Sequence, residues 1–170
     1  MHGGMRFTMR LQRNSIFSPI MTGLKTELHN QCLDYVEKRM AAAQLAIDEA
    51  HKASNDDTKS SAGDKYETGR EMMQQEANRN TAQLIEANKL KIALNKISPT
   101  VVNHLADTGS LVITSNGNFY IAISAGLLKV NNENYFAISP ASPVGLMLKG
   151  RKAGDEFKLN DKIYNVKGII

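Results

Sequence analysis

The sequence predicts an α+β fold: a long N-terminal antiparallel helical hairpin (a coiled coil) followed by a small antiparallel β domain with one short helix. Two observations indicate this. Apolar residues recur at helical spacing up to residue 97, and after residue 108 they alternate as in β-strands. Turn-forming residues are concentrated at 54–64 and again between the short apolar runs that follow residue 109.

The first predicted helix covers residues 23–53, and its part from Leu24 to Ala53 contains neither Pro nor Gly. Apolar residues repeat there with spacings of four, three, four and three: Val36, Met40, Ala43, Ile47 and Ala50. This is the seam of a coiled coil.

The second predicted helix follows the polar turn at 54–64 and ends at Ser98-Pro99, so that the hairpin covers 23–98. Its apolar positions are Tyr66, Met73, Ala77, Leu84, Ala87, Leu94 and Ile97. Two helices of about thirty residues, each about 45–50 Å long, are most simply antiparallel neighbours when the turn is short. The same pattern is also typical of an oligomerising coiled coil, so a self-associating coiled-coil adaptor stays an alternative.

The β domain is expected at 109–170, after a linker at 99–108. Asn116-Gly117 between two apolar runs is a strong hairpin pattern. The turn at 131–134 predicts a second hairpin, and Asn160-Asp161 predicts a third after the short helix at 143–149. Five or six antiparallel strands result.

Charge and cysteine content narrow the class of protein. Arg6, Arg10 and Arg13 account for three of the four net positive charges, so the rest of the chain is nearly neutral and no nucleic-acid-binding patch is indicated. Residues 1–22 are expected to be a disordered extension or an upstream start.

The single cysteine, Cys32, fits a reducing cytosol, and no apolar stretch is long enough to cross a membrane. We therefore expect a cytoplasmic protein.

Residues 139–157 carry the most specific pattern of the chain. Ser142 suits a helix N-cap, Pro143 the first helical turn and Gly150 the left-handed residue after the helix, and Gly154-Asp155 then turns the chain into a strand. This pattern resembles the C-terminal domain of the bacterial GreA/GreB transcription elongation factors, which reads roughly Ser-Pro-x-Gly-x-x-Leu-x-Gly-Lys-x-x-Gly-Asp. Together with the preceding hairpin, the resemblance covers residues 24–170.

The resemblance implies an FKBP-like C-terminal domain that docks at the rim of the secondary channel of RNA polymerase. The hairpin then reaches down the channel, and acidic residues at its tip help to hold a catalytic Mg²⁺. RNA polymerase is thus the implied partner, backtracked RNA is reached only indirectly, and the protein acts as a monomer without an activity or cofactor of its own. The residues implied for docking are Ser142, Pro143, Gly145, Arg151, Lys152, Gly154 and Asp155.

The hairpin tip departs from the family motif, which is close to Gly-Asp-Leu-x-Glu-Asn-Ala-Glu-Tyr. Tyr66 and Arg70-Glu71 resemble its Tyr and a later Arg-Glu. Counted back from Tyr66, the second acid of the family falls on Ala62 and the first on Lys59.

Four acids remain as candidates for the polymerase metal: Asp56, Asp57, Asp64 and Glu67. Carboxylates suit a hard ion such as Mg²⁺. Two alternatives stay open: stimulation of transcript cleavage, and occupation of the channel without cleavage. The alanine at position 62 favours the second.

Two enzymatic readings are disfavoured. Cys32 lies in the heptad region without a basic partner, as a packed thiol does, and His2, His29, His51 and His104 show no metal-ligand spacing. An FKBP-like domain also suggests prolyl isomerase activity. That activity needs an aromatic-lined pocket, which a chain without Trp is poorly equipped to form.

Phe119 and Tyr120 face opposite ways on a strand, so one ring is expected in the core and one in solvent. The linker predicts that hairpin and sheet fold largely independently.

Overall fold

The computed structural model describes residues 14–56 and 63–170. Two long helices come first: α1 spans Asn14–Asp56 and α2 spans Gly63–Asn95. They pack along each other, and Glu37 of α1 forms an ion pair of 2.9 Å with Lys91 of α2 across the hairpin. The predicted helical hairpin is confirmed. Helix α1 starts before the predicted residue 23, because a helix can extend beyond the residues that its seam buries.

Small side chains fill the seam between the helices. The buried residues of the arms are Val36, Ala43, Ile47 and Ala50 on α1 and Ala77, Ala87 and Leu94 on α2. Alanines at most of these positions allow the two helix axes to approach closely, and the hairpin is correspondingly thin.

Six strands form one sheet in the order β3-β4-β2-β1-β6-β5. In chain order the strands and the short helix are β1 (Leu111–Thr114), β2 (Gly117–Ile121), β3 (Gly126–Val130), β4 (Glu133–Ile138), α3 (Pro143–Leu148), β5 (Glu156–Leu159) and β6 (Lys162–Ile169). The three predicted hairpins are present. Asn131, Asn132, Asn160 and Asp161 have φ between 48° and 65°, as two-residue hairpin turns require.

One strand pair differs from the antiparallel sheet that the sequence predicts. β2 and β4 are parallel, with Phe119 opposite Phe136 and Ile121 opposite Ile138. The β3–β4 hairpin folds back after β2, so that β4 lies beside β2 and β3 becomes the edge strand. The α+β class is confirmed, and the sheet is mostly antiparallel with this one parallel pair.

Both faces of the sheet are covered. Tyr120 points to the face that packs against the base of the hairpin, in one core with Leu28, Cys32 and Leu94. Phe119 points to the opposite face, in a second core with Phe157 and other apolar residues of α3, β5 and β6. Both rings are therefore buried, and the expectation of one solvent-exposed ring is wrong, because it assumed a sheet covered on one face only.

The hairpin and the sheet share their main core, which revises the expectation of independent folding. Leu28, Cys32 and Val36 of α1 pack in one cluster with Leu111 and Tyr120 of the sheet. The connecting segment 96–110 is also bonded into the sheet domain: Ala106 N–H donates to Arg151 O at 2.8 Å, and Gly150 N–H donates to Ala106 O at 2.7 Å. No described helix is both long and apolar enough to span a membrane.

Candidate functional site

Helix α3 begins at a fully formed cap. The Ser142 hydroxyl accepts a hydrogen bond from Gly145 N–H at 3.1 Å and donates one to Ser139 O at 2.7 Å. Pro143 occupies the first helical position, where its missing N–H costs nothing. Ser142 and Pro143 therefore shape the corner of the domain.

Gly145 is required by close packing of the backbone. A Cβ atom built at this position would lie 2.3 Å from Ser139 O, a distance that real Cβ atoms essentially never show. Its match to the Gre-type pattern thus has a structural cause inside this domain, independent of any partner.

Arg151 is engaged within the domain. Its Nε donates to Met147 O at 2.6 Å and its Nη1 to Glu156 O at 2.7 Å, while the guanidinium lies 5.4 Å from the centroid of the Phe157 ring. These contacts join the end of α3 to the start of β5. Arg151 therefore holds the corner together with two of its five guanidinium N–H donors.

The turn after Arg151 is closed by Asp155, whose Oδ2 accepts a hydrogen bond from Lys152 N–H at 2.9 Å. Gly154 has φ of 95°, a conformation that favours glycine. The Lys152 side chain is exposed, since its backbone alone takes part in the turn. Of the two predicted basic docking residues, Lys152 is the one whose side chain forms none of the hydrogen bonds that build the corner.

Five exposed residues surround this corner, and we call them the α3 surface: Leu105, Leu146, Met147, Lys149 and Lys152. The exposed fractions of Leu146 and Leu105 are 62% and 53%, large for apolar side chains. A cavity of about 280 Å³ lies between α3 and the loop at 107–108, with Ile121 and Gly145 among its lining residues. An apolar patch with two lysines at its edge can accept an apolar side chain and attract acidic neighbours.

Sequence reasoning missed the exposed apolar residues of the α3 surface. The motif pointed to its glycines, its serine and its basic pair, most of which serve the fold. Helical spacing within 143–149 would have separated buried Leu148 from exposed Leu146 and Met147.

The tip acids lie mostly outside the part of the chain that the structure describes. Asp57 falls in the undescribed segment 57–62, and for Asp56 and Asp64 only the helical backbone is described. Glu67 is exposed on α2. Among the described residues, no group of three or more His, Cys, Asp and Glu side chains could hold a metal ion.

A second polar cluster lies at the junction of α1 with the sheet. Lys25 and His29 are 1% and 7% exposed, and Tyr120 is fully buried beside them. His29 Nδ1 lies 3.0 Å from the Tyr120 hydroxyl. Lys25, His29, Cys32 and Val36 follow one another at spacings of four, three and four, which is the signal that could have placed both basic residues on the buried seam.

Burial shifts the pKa values in this cluster in the direction that favours the uncharged form of each group. Desolvation lowers the pKa of Lys25 and of His29, and it raises the pKa of the Cys32 thiol to about 12. The pKa of Tyr120 is also raised, by desolvation and by the nearby Cys32. The prediction that Cys32 is a packed thiol is confirmed by its complete burial.

A second and wider cleft lies where α1 meets the β3–β4 hairpin. It has a volume of about 590 Å³, and Tyr135 is the one aromatic residue among those lining it. The cavity beside α3 has no aromatic lining residue. Neither space is the aromatic pocket that a prolyl isomerase needs.

Comparison with protein-family profiles, with curated proteins and with solved structures gave no match. The architecture, an N-terminal helical hairpin followed by a six-stranded mixed sheet domain, is consistent with a Gre-like layout.

Proposed function

We propose that this protein is an RNA polymerase-binding elongation factor of the Gre type, which docks through the α3 surface and inserts its hairpin into the secondary channel. The proposal rests on two features that occur together in this chain. One is a hairpin about 50 Å long, far longer than the core of such a domain needs, and the other is a capped corner with an exposed apolar patch. A long thin arm serves to reach a site that the globular part cannot enter.

The chemistry of the α3 surface specifies how it would bind. Leu146 and Met147 supply apolar area that gains free energy when a partner removes it from water. Lys149 and Lys152 at the edge of the patch favour a partner segment with acidic side chains. Ser142, Gly145 and Arg151 hold the surface in shape.

Binding of the full chain to purified core polymerase tests the proposal. Lys149→Glu combined with Lys152→Glu reverses the charge of the surface without touching the hydrogen bonds that build the corner. We expect affinity to fall about 5- to 30-fold, which corresponds to about 1–2 kcal/mol.

Lys129→Glu combined with Lys162→Glu is the matched control. It makes the same charge change at two exposed lysines of β3 and β6 outside the α3 surface, and it should leave binding unchanged. If the wild-type chain does not associate with polymerase, the proposal is wrong.

At the tip we propose occupation of the channel rather than stimulation of cleavage, because Ala62 stands where the family carries its second acid. Transcript cleavage in backtracked complexes separates the two activities. If the protein stimulates cleavage, Asp56→Asn with Asp57→Asn should reduce the rate about 30- to 1000-fold, because a carboxylate ligand of the metal is lost. Docking, at the other end of the molecule, should not change.

A self-associating coiled-coil adaptor is the second candidate. It is favoured by one observation: Leu45, Met72, Ile85 and Ile92 are large apolar residues exposed on the hairpin. Light scattering at micromolar concentration tests it, and a monomer would exclude self-association under these conditions.

A further inference from the structure

Lys25 joins three parts of the chain at a single nitrogen atom. Its side chain is 1% exposed, and its Nζ donates to Val101 O at 2.6 Å and to Ile170 O at 3.0 Å. Val101 lies in the segment that connects α2 with β1, and Ile170 follows β6. The base of the hairpin, the connecting segment and the sheet are therefore bonded together here.

Lysine is a costly choice for this position. Removing an amine from water is unfavourable, and an apolar side chain would cover the same surface without that cost. One bonding partner of Nζ is the carbonyl oxygen of Val101 and the other is an oxygen of Ile170, the last residue of the sequence, and no Asp or Glu side chain among the described residues forms an ion pair with Lys25. What lysine adds is direction, because hydrogen bonds to two fixed oxygen atoms define the position of α1 in a way that apolar contacts do not.

The connecting segment extends these bonds to the α3 surface. A few residues after Val101, Ala106 bonds through its N–H to Arg151 O and through its carbonyl oxygen to Gly150 N–H. A bonded path thus runs from α1 through segment 96–110 to the corner that follows α3.

The length of the arm amplifies any change at its base. Lys52, near the end of α1, is about 40 Å along the helix from Lys25, at 1.5 Å per residue. A tilt of about 10° at Lys25 would move that end by about 7 Å. A directional contact at the base of the hairpin therefore restricts the position of the tip more than a contact further along the arm does.

We propose that Lys25 is a positioning residue that fixes the direction of the helical hairpin relative to the sheet domain. The core around Leu28 and Cys32 holds the two parts together, and the two bonds of Lys25 select one angle between them. The consequence for polymerase rests on the function proposed above: a protein with a misdirected arm would still dock, and its tip would fail to enter the channel.

The test measures the direction of the arm in the free, full-length protein, so it does not depend on any partner. Spin labels on cysteines introduced by Lys52→Cys and Lys162→Cys report the distance between the arm and the sheet by pulsed electron spin resonance. Cys32 stays unlabelled because it is buried. Lys25→Met keeps a chain of similar length and removes the donors, and Lys38→Met makes the same change at an exposed position of α1.

With Lys25 present, and in the Lys38→Met control, we expect one narrow distance distribution. Lys25→Met should broaden it or shift its centre by about 5 Å or more, while circular dichroism still reports a folded protein. Lys25→Leu, which also removes the donors, serves as the second variant if Lys25→Met does not fold. A distribution unchanged in the folded variants overturns the proposal, and so does loss of folding in both, which would make Lys25 a residue of global stability. Absence of polymerase binding would overturn the proposed function and leave this result standing.

Discussion

At the scale of single residues, the corner at 139–157 is held by contacts that leave little freedom. Ser142 caps α3, Arg151 bonds two carbonyl oxygens and Asp155 closes the turn before β5. Among the glycines that the structure describes, Gly145 has the least space, because a Cβ built on it would overlap Ser139 O.

Gly145→Ala should destabilise the protein by about 1–3 kcal/mol, because the added methyl group must displace backbone rather than a flexible side chain. The free energy of unfolding from urea titration measures this. Gly168→Ala is the control, since a Cβ at Gly168 meets no atom within 4 Å and its φ is not positive. Equal effects of the two substitutions would show that Gly145 is not constrained in this way.

His29 should make stability depend on pH. Burial lowers its pKa in the folded protein below the ordinary value of 6.5, so the unfolded chain binds a proton more readily. The Tyr120 hydroxyl on β2 is its hydrogen-bonding partner, and Lys25 and Cys32 are the neighbouring buried titratable residues on its own helix. The contribution of neutral His29 to the stability of the folded protein is fully present above about pH 6.5 and is lost as the pH falls below this value.

Urea midpoints at pH 7.5 and pH 5.5 measure this dependence. His29→Gln should reduce the difference between the two midpoints, while His104→Gln, at an exposed histidine, should leave it as in the wild type. If His29→Gln retains the full difference, other groups are responsible for it.

At the scale of elements, local patterns were sufficient for the helices and for the hairpins. Coiled-coil spacing predicted both arms, and Asn116-Gly117 predicted β1 and β2. The parallel pairing of β2 with β4 could not be predicted in this way, because it depends on which edge of the sheet the β3–β4 hairpin occupies. The burial of Lys25 was missed for a related reason. Lysine is usually exposed to solvent, but here the position on the helix seam and the main-chain oxygens of Val101 and Ile170 determine where the side chain lies.

Gly23 offers a test of helix α1 itself. It is an exposed residue inside the helix, and a Cβ built on it meets no atom within 4 Å. Gly23→Ala should therefore stabilise the protein by about 0.5–1 kcal/mol, because alanine loses less backbone entropy than glycine in a helix. Urea unfolding measures the gain, and a destabilised variant would indicate that residue 23 is not held in a regular helix.

At the scale of the whole molecule, the hairpin and the sheet form one structural unit at their junction. Apolar residues of both belong to the main core, and Lys25 adds hydrogen bonds between them. The free part of the hairpin extends away from this junction. The composition of the linker could not reveal this, because proline and polar residues there are compatible with a segment bonded to its neighbours.

A fragment covering 106–170 should therefore lack a cooperative thermal transition, because Leu111, Tyr120 and Leu128 lose the helices that cover them. Circular dichroism melting of this fragment beside a chain covering 14–170 measures the difference. A cooperative transition of the fragment at the melting temperature of the longer chain would restore the view that the sheet domain folds alone.

The central claim is that this protein occupies the secondary channel of RNA polymerase. The most direct measurement is transcript cleavage in backtracked complexes that contain a fixed amount of a Gre-family cleavage factor and increasing amounts of this protein. We expect cleavage to fall as the protein displaces the factor, with Lys149→Glu and Lys152→Glu together raising the concentration required about 5- to 30-fold. Cleavage that stays unchanged at saturating protein would contradict the claim.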